Sequence, residues 1–343
     1  MKKIIITLLS SLLISTSLMA AGPLKVAWTI YPSWQLIALT NMKLQGKGNP
    51  SFLERRTAEN KSDVEVILFK EYVASINALT AGSVDVCAMT LQEALSIPTD
   101  NGVPVRIIVV NDYSNGNDKV LGPKGSKLED LIGNSILCEE YSVSQTLVVE
   151  AMKSKKLDWH KVNFKHTPGD EIPKVFLSSD KPPFVCTWNP HAERIANSGK
   201  AEVLFQSSQI PGKIIDCIVI REDRIAGNEK AIQAFVNAYY DVIDFWQTPA
   251  TSEIAVRAMT NKAEMDSKNP ADLALFKKML DATFIYKTPA ETLAFMNDPK
   301  TSKTHDEIRQ ALADFGAFKG TSPEKYQVKM DTTWVEAAAK RTK

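Results

Sequence analysis

Carboxylates, aromatic rings and hydroxyls recur where apolar runs of this chain come to an end. Tyr31 and Trp34 follow "LKVAWTI", Glu71 and Tyr72 follow "VEVILF", and Thr90 and Glu93 follow "VDVCAM". Asp112 and Tyr113 follow "VRIIVV", while Glu139, Glu140 and Ser142 follow "NSILC". Thr187, Trp188 and Asn189 follow "FVC", and Asp216 stands at the head of the run "KIIDCIVI". Nearby cations are few: Lys70, Lys119 and Lys213. A site for an anion would pair Lys or Arg with helix N-termini. Carboxylates interleaved with Trp and Tyr suit a cation or a donor-rich solute instead. They accept N–H bonds, and aromatic faces attract positive charge.

Each residue also has a structural role to weigh. Thr90-x-x-Glu93 and Ser142-x-x-Gln145 match the capping box, in which the side chains satisfy orphan N–H groups at a helix start. A cap of this kind can still line a cleft. Trp28 and Trp34 can be core aromatics, "SNG" can be turn chemistry, and Asp85 reads as structural. Asp216 is harder to set aside, because a carboxylate inside an apolar run needs a partner if buried. The candidate ligand-binding set is therefore Tyr31, Trp34, Glu71, Tyr72, Thr90, Glu93, Asp112, Glu140, Ser142, Trp188, Asn189 and Asp216. No Gly-x-Ser-x-Gly, P-loop or Gly-x-Gly-x-x-Gly pattern occurs, and no His is placed as a base, so no catalytic residue is expected. The histidines are scattered and no Cys-x-x-Cys occurs, so neither a metal site nor a cofactor is expected.

The elements that must hold these side chains alternate short apolar strands with longer amphipathic segments. "LKVAWTI" is followed by a helical stretch from Ser33, a polar insertion ("KLQGKGNPSFLERRTAENKS") and "VEVILF". A helix carrying Val73, Ile76 and Leu79 on one face then stops at Gly82, a fitting C-cap. "VDVCAM" and "VRIIVV" complete the first block, and "NSILCEE", "VNFKHT", "FVCTWN" and "EVLFQS" form a second. This pattern predicts two α/β lobes, each a mostly parallel sheet flanked by helices. "NDYSNGND" (111–118) and "QSSQIPG" (206–212) read as the crossovers, giving lobe 1 as 22–112 plus 213–343 and lobe 2 as 113–212. From Asn228 the chain turns helical, with breaks near Pro249, Pro270 and Pro289. Open α/β sheets bind ligands beyond the carboxyl ends of their strands, which here means the interlobe cleft.

Residues 1–21 carry Lys2 and Lys3, an apolar stretch and a small-residue "MAAG" end, the pattern of a secretory signal peptide. Net charge is +1, and removing Lys2 and Lys3 leaves −1, which argues against nucleic acid or an anionic membrane as partner. Cys87, Cys138, Cys186 and Cys217 each lie in or beside an apolar run and read as core thiols.

The leader, the two-lobed pattern, "INALTAGSVDVCAMT" and "FVCTWNP" resemble the periplasmic substrate-binding proteins of ABC importers in the nitrate/sulfonate/taurine and thiamine-precursor superfamily. "DYSNGND", "YSVSQTL", "TWNPH" and "SSQIPGKIIDCIVI" are similar to its urea-carboxylase-associated branch. Glu71 and Glu93 stand where that branch carries aspartates. The resemblance implies a monomeric, periplasmic, non-enzymatic subunit that passes a small nitrogen-rich solute, guanidine or urea, to membrane permease subunits. Nitrate, a sulfonate or a thiamine precursor is the alternative ligand, and an enzyme on the same fold is the alternative activity.

Overall fold

The computed structural model describes residues 22–43, 48–318 and 322–341, so the leader expected over 1–21 lies outside the described residues. The first block supplies β1 (Leu24–Trp28), β2 (Val64–Leu68), β3 (Val86–Thr90) and β4 (Val105–Ser114). The second supplies β5 (Lys119–Pro123), β6 (Ser135–Cys138), β7 (Asn163–His166), β8 (Phe184–Thr187) and β9 (Ala201–Gln206). The chain then returns to the first sheet with β10 (Ile215–Arg221), β11 (Thr283–Ile285) and β12 (Lys329–Met330). The large sheet runs β11-β4-β10-β3-β1-β2, with β12 also beside β4, and the small sheet runs β7-β6-β8-β5-β9.

Both sheets are mixed, which corrects the expectation of mostly parallel ones. β10 lies antiparallel between β3 and β4, and β5 lies antiparallel between β8 and β9. These are the two strands that follow a crossover. Each enters its sheet from the other lobe and so runs against its neighbours. β3, β4 and β10 are apolar almost throughout and covered on both faces, which is why they read as continuous hydrophobic runs.

The "polar insertion" holds a helix, Phe52–Asn60, that the sequence reading passed over. Its signal is a capping box: the Ser51 hydroxyl accepts from Glu54 N–H at 3.0 Å, and the Glu54 carboxylate accepts from Ser51 N–H at 2.6 Å. Phe52 and Leu53 are its buried residues, and the Phe52 ring meets Phe245 of the long helix Glu229–Gln247 at 5.4 Å. Beyond that helix, prolines begin elements rather than only breaking them. Pro249, Pro270, Pro289 and Pro299 each occupy the first position of a helix, where the missing N–H costs nothing. All four cysteines are buried free thiols. Among the described residues no helix is long and apolar enough to cross a membrane.

Candidate functional site

The carboxyl ends of β1, β3 and β8 and the amino ends of the antiparallel β5 and β10 face one small cavity between the lobes. Its wall is a staircase of rings: Tyr31 to Trp34 at 5.2 Å between centroids, Trp34 to Tyr72 at 5.5 Å, and Tyr72 to Trp188 at 5.8 Å. The first three come from the large lobe and Trp188 from the small one. Trp188 lies flush on Gly169, where a Cβ would sit 2.1 Å from the indole, so only glycine permits that approach. Thr90, Val143, Ile214, Asp118 and Asp216 complete the lining. The room for the centre of a water-sized sphere is about 20 Å³. A larger cavity of about 270 Å³ shares Tyr72 and Trp188 with it and is also lined by Lys70, His191 and Arg194, and a separate one of about 250 Å³ is lined by Glu140, Tyr141 and Ser142.

Acids dominate the surroundings. Asp216 is paired in register with both Asp112 on β4 and Thr90 on β3, so these three side chains gather at the end of the sheet. Asp112 is fully buried and accepts from Asn111 Nδ2 at 2.5 Å. Glu93 accepts from the Tyr72 hydroxyl at 3.1 Å and from Val143 N–H at 3.2 Å, and lies against the Thr90 hydroxyl. Glu139 accepts from Gly169 N–H at 3.0 Å. One oxygen each of Asp112, Asp118 and Asp216 is buried with no hydrogen-bond partner, as is the Tyr31 hydroxyl.

Burial disfavours these charges, since little water reaches them. It pushes Asp112 and Asp118 up to about 6, and Asp216 well above the usual carboxylate range. Burial also lifts Glu139 to about 7, and burial plus the charge of Glu139 lifts Glu93 to about 8. The buried cation beside this cluster, Lys119, is committed elsewhere. It pairs with Glu193 at 3.0 Å and donates to the Gly116 carbonyl at 2.5 Å. Lys213 pairs with Glu150 at 2.8 Å, and Lys70 is exposed and lines the adjoining cavity of about 270 Å³.

The lobes meet over the cavity. Gln92 donates to the Tyr141 carbonyl at 3.1 Å and accepts from the Thr146 hydroxyl at 2.8 Å. Together with Glu93 it ties the start of the helix Leu91–Asp100 to the start of the helix Val143–Ser154. At the crossovers the Ser207 hydroxyl bonds the Ser114 hydroxyl at 2.7 Å and accepts from Gly116 N–H at 2.7 Å. Gly116 has φ +127°, and an added Cβ would meet the Ala282 side chain at 3.4 Å.

No family model and no curated protein matches the sequence. Solved structures do match in shape. A ligand-binding component of an ABC-type import system from Staphylococcus aureus, with zinc bound, aligns at a TM-score of 0.69 with 15% identity, covering 93% of this chain and 99% of that one. The periplasmic aliphatic sulphonate binding protein of Escherichia coli aligns at 0.68 with 12% identity, over 90% and 93% of the two chains. The periplasmic nitrate-binding protein of Synechocystis aligns at 0.56 with 11% identity, over 92% and 97%. The fold is that of the periplasmic binding proteins. In this binding-protein frame, no three His, Cys, Asp or Glu side chains among the described residues come together as metal ligands.

Within the interlobe cleft the structure brings Tyr31, Trp34, Tyr72, Thr90, Trp188 and Asp216 onto one cavity, with Asp112 and Glu93 directly behind. Four expected residues are placed elsewhere. Glu71 is exposed and makes no capping bond at the head of the helix Tyr72–Thr80. Of the adjacent pair Glu139 and Glu140, the buried one is Glu139, and Glu140 lines the separate cavity of about 250 Å³ with Ser142. Asn189 is buried, but its amide donates to Asn117 at 2.7 Å and accepts from Glu193 N–H at 3.0 Å, which leaves it as a brace. Ser142 caps its helix, accepting from Ser144 N–H at 3.1 Å. Asp118 was passed over, although it is the second carboxylate of the "NDYSNGND" stretch.

Proposed function

We propose that this chain is the solute-binding subunit of an ABC importer and that it captures a small nitrogen-rich cation of the guanidine type, in preference to urea. A leader over residues 1–21 would deliver it to the periplasm, where as a monomer it passes the solute to membrane permease subunits. The observation that carries the ligand class is the cluster of buried acids around an aromatic cage whose lining holds no Lys, Arg or His. Carboxylates this close repel one another unless a cation or protons lie among them. A guanidinium ion offers in-plane N–H donors to Asp118 and Asp216 and a flat face to Tyr31, Trp34 and Tyr72. The small cavity favours a solute of a few heavy atoms over a sulfonate with a tail. A nitrate or sulfonate would meet the carboxylates without a compensating cation.

Calorimetric titration near neutral pH with guanidinium chloride, urea, nitrate and taurine tests this. Guanidinium is expected to bind most tightly, with urea weaker and the anions silent. Urea binding without guanidinium binding overturns the cationic reading. Binding of nitrate or taurine overturns the ligand class altogether.

A further inference from the structure

Asp112 and Asp216 face each other at the cavity end of the β4–β10 ladder. Directly opposed residues of an antiparallel pair place their Cβ atoms about 4.5–5.5 Å apart on one face, so two short carboxyl arms meet. Asp112 is 0% and Asp216 1% exposed. One oxygen of Asp112 accepts from Asn111, while its other oxygen and Oδ2 of Asp216 find no protein donor. Ionised carboxylates are acceptors only, so the pair cannot bond to itself unless one member carries hydrogen. No cation stands among the groups that act on it, and the Ser33 hydroxyl beside Asp112 is neutral. Asp118 from the crossover and Glu93 from the helix after β3 are acids, and Tyr31 and Tyr239 are phenols that burial keeps neutral. Lys119 is held by Glu193.

We propose that Asp112 and Asp216 hold one proton between them in the unliganded protein, and that a bound monovalent cation displaces it to solvent. This rests on the cationic reading of the cavity and names the pair that enforces it. The proton resides on Asp216: burial raises both carboxyls, but hydrogen bonds from Asp216, Ser33 and Asn111 favour the charged form of Asp112, whose charge then holds the Asp216 carboxyl up further. No covalent bond forms or breaks: one O–H proton leaves for water as one positive charge enters. Affinity for a cation therefore rises with pH, by up to about tenfold per unit while the pair still holds its proton. A neutral solute with a carbonyl oxygen would accept that O–H instead and leave the proton in place. The pair thus sets which charge class the site accepts at a given pH.

Two measurements test this. Titration of guanidinium chloride at pH 7 in buffers of different ionisation enthalpy is expected to show about one proton released per cation bound. The release should persist in Glu93→Gln and vanish in Asp216→Asn. Guanidinium binding without proton release, or with release unchanged in Asp216→Asn, overturns the proposal. The infrared difference spectrum between the unliganded parent and Asp216→Asn is expected to show the carbonyl stretch of one protonated carboxyl. A difference spectrum without that band also overturns it. If guanidinium does not bind but the band is present, the proton-sharing pair stands and the ligand assignment alone falls.

Discussion

Replacing Glu93 by Gln removes a titrating group from the seam between the lobes, and the size of the effect follows from its surroundings. Burial and the charge of Glu139 raise its carboxyl from 4.5 to about 8. At about 1.4 kcal/mol per unit, full ionisation of the folded protein costs about 5 kcal/mol relative to the unfolded chain. By pH 7 the realised part spans 4.5 to 7, about 3 kcal/mol. The folded state binds this proton more tightly than the unfolded state does. Stability from Glu93 is therefore present below pH 4.5 and is lost as pH rises through about 8. Glu93→Gln abolishes that dependence. The variant should match the parent within about 1 kcal/mol at pH 5 and exceed it by about 3 kcal/mol at pH 7, less whatever the weaker bond from Val143 N–H forfeits. Scanning calorimetry across this pH range is the assay, since urea and guanidinium as denaturants belong to the candidate ligand class. Parallel pH profiles for parent and variant would refute the reasoning, because Glu93 would then be ionised beside an unseen compensation.

Other substitutions separate the cavity from its margins. Asp118→Asn should weaken guanidinium binding by about 2 kcal/mol, roughly 30-fold, whereas Glu71→Gln should bind like the parent in the same titration. Gly169→Ala drives a methyl into Trp188, and we expect at least a tenfold loss of affinity, with quenching of tryptophan fluorescence by ligand altered in parallel. Ser207→Ala leaves Gly116 N–H without its acceptor; melting of this variant should show a loss of about 1–3 kcal/mol.

How far the sequence could be read depended on which physical signal each feature leaves. The alternation of apolar runs with amphipathic segments was enough for two α/β lobes, because burial on both faces makes β3, β4 and β10 nearly continuous hydrophobic runs. Strand direction left no such trace, since β10 looks the same in composition whether it runs with or against β3. Rings and acids at strand ends pointed to the cleft because side chains beyond a strand's carboxyl end have left the core. Which of two adjacent acids turned inward was not legible: Glu139 and Glu140 differ by one step of alternation just where the strand stops and the pleat ends. Asn189 failed for another reason, as a polar side chain at a strand end can serve a helix start as readily as a ligand. The helix at Phe52–Asn60 was available from Ser51 and Glu54, but its charged composition hid it.

Asp118 belongs at once to the cavity wall and to the short strap that joins the lobes. Its amide lies within 3.3 Å of the Ser114 hydroxyl and 3.4 Å of that of Ser207. Any swing that parts the lobes must turn the backbone of this strap, and the carboxylate turns with it. For the proposed solute, opening and letting go would then be a single movement rather than two successive ones. In the solute-binding role proposed above, the dwell time of a captured solute would follow the strap's stiffness.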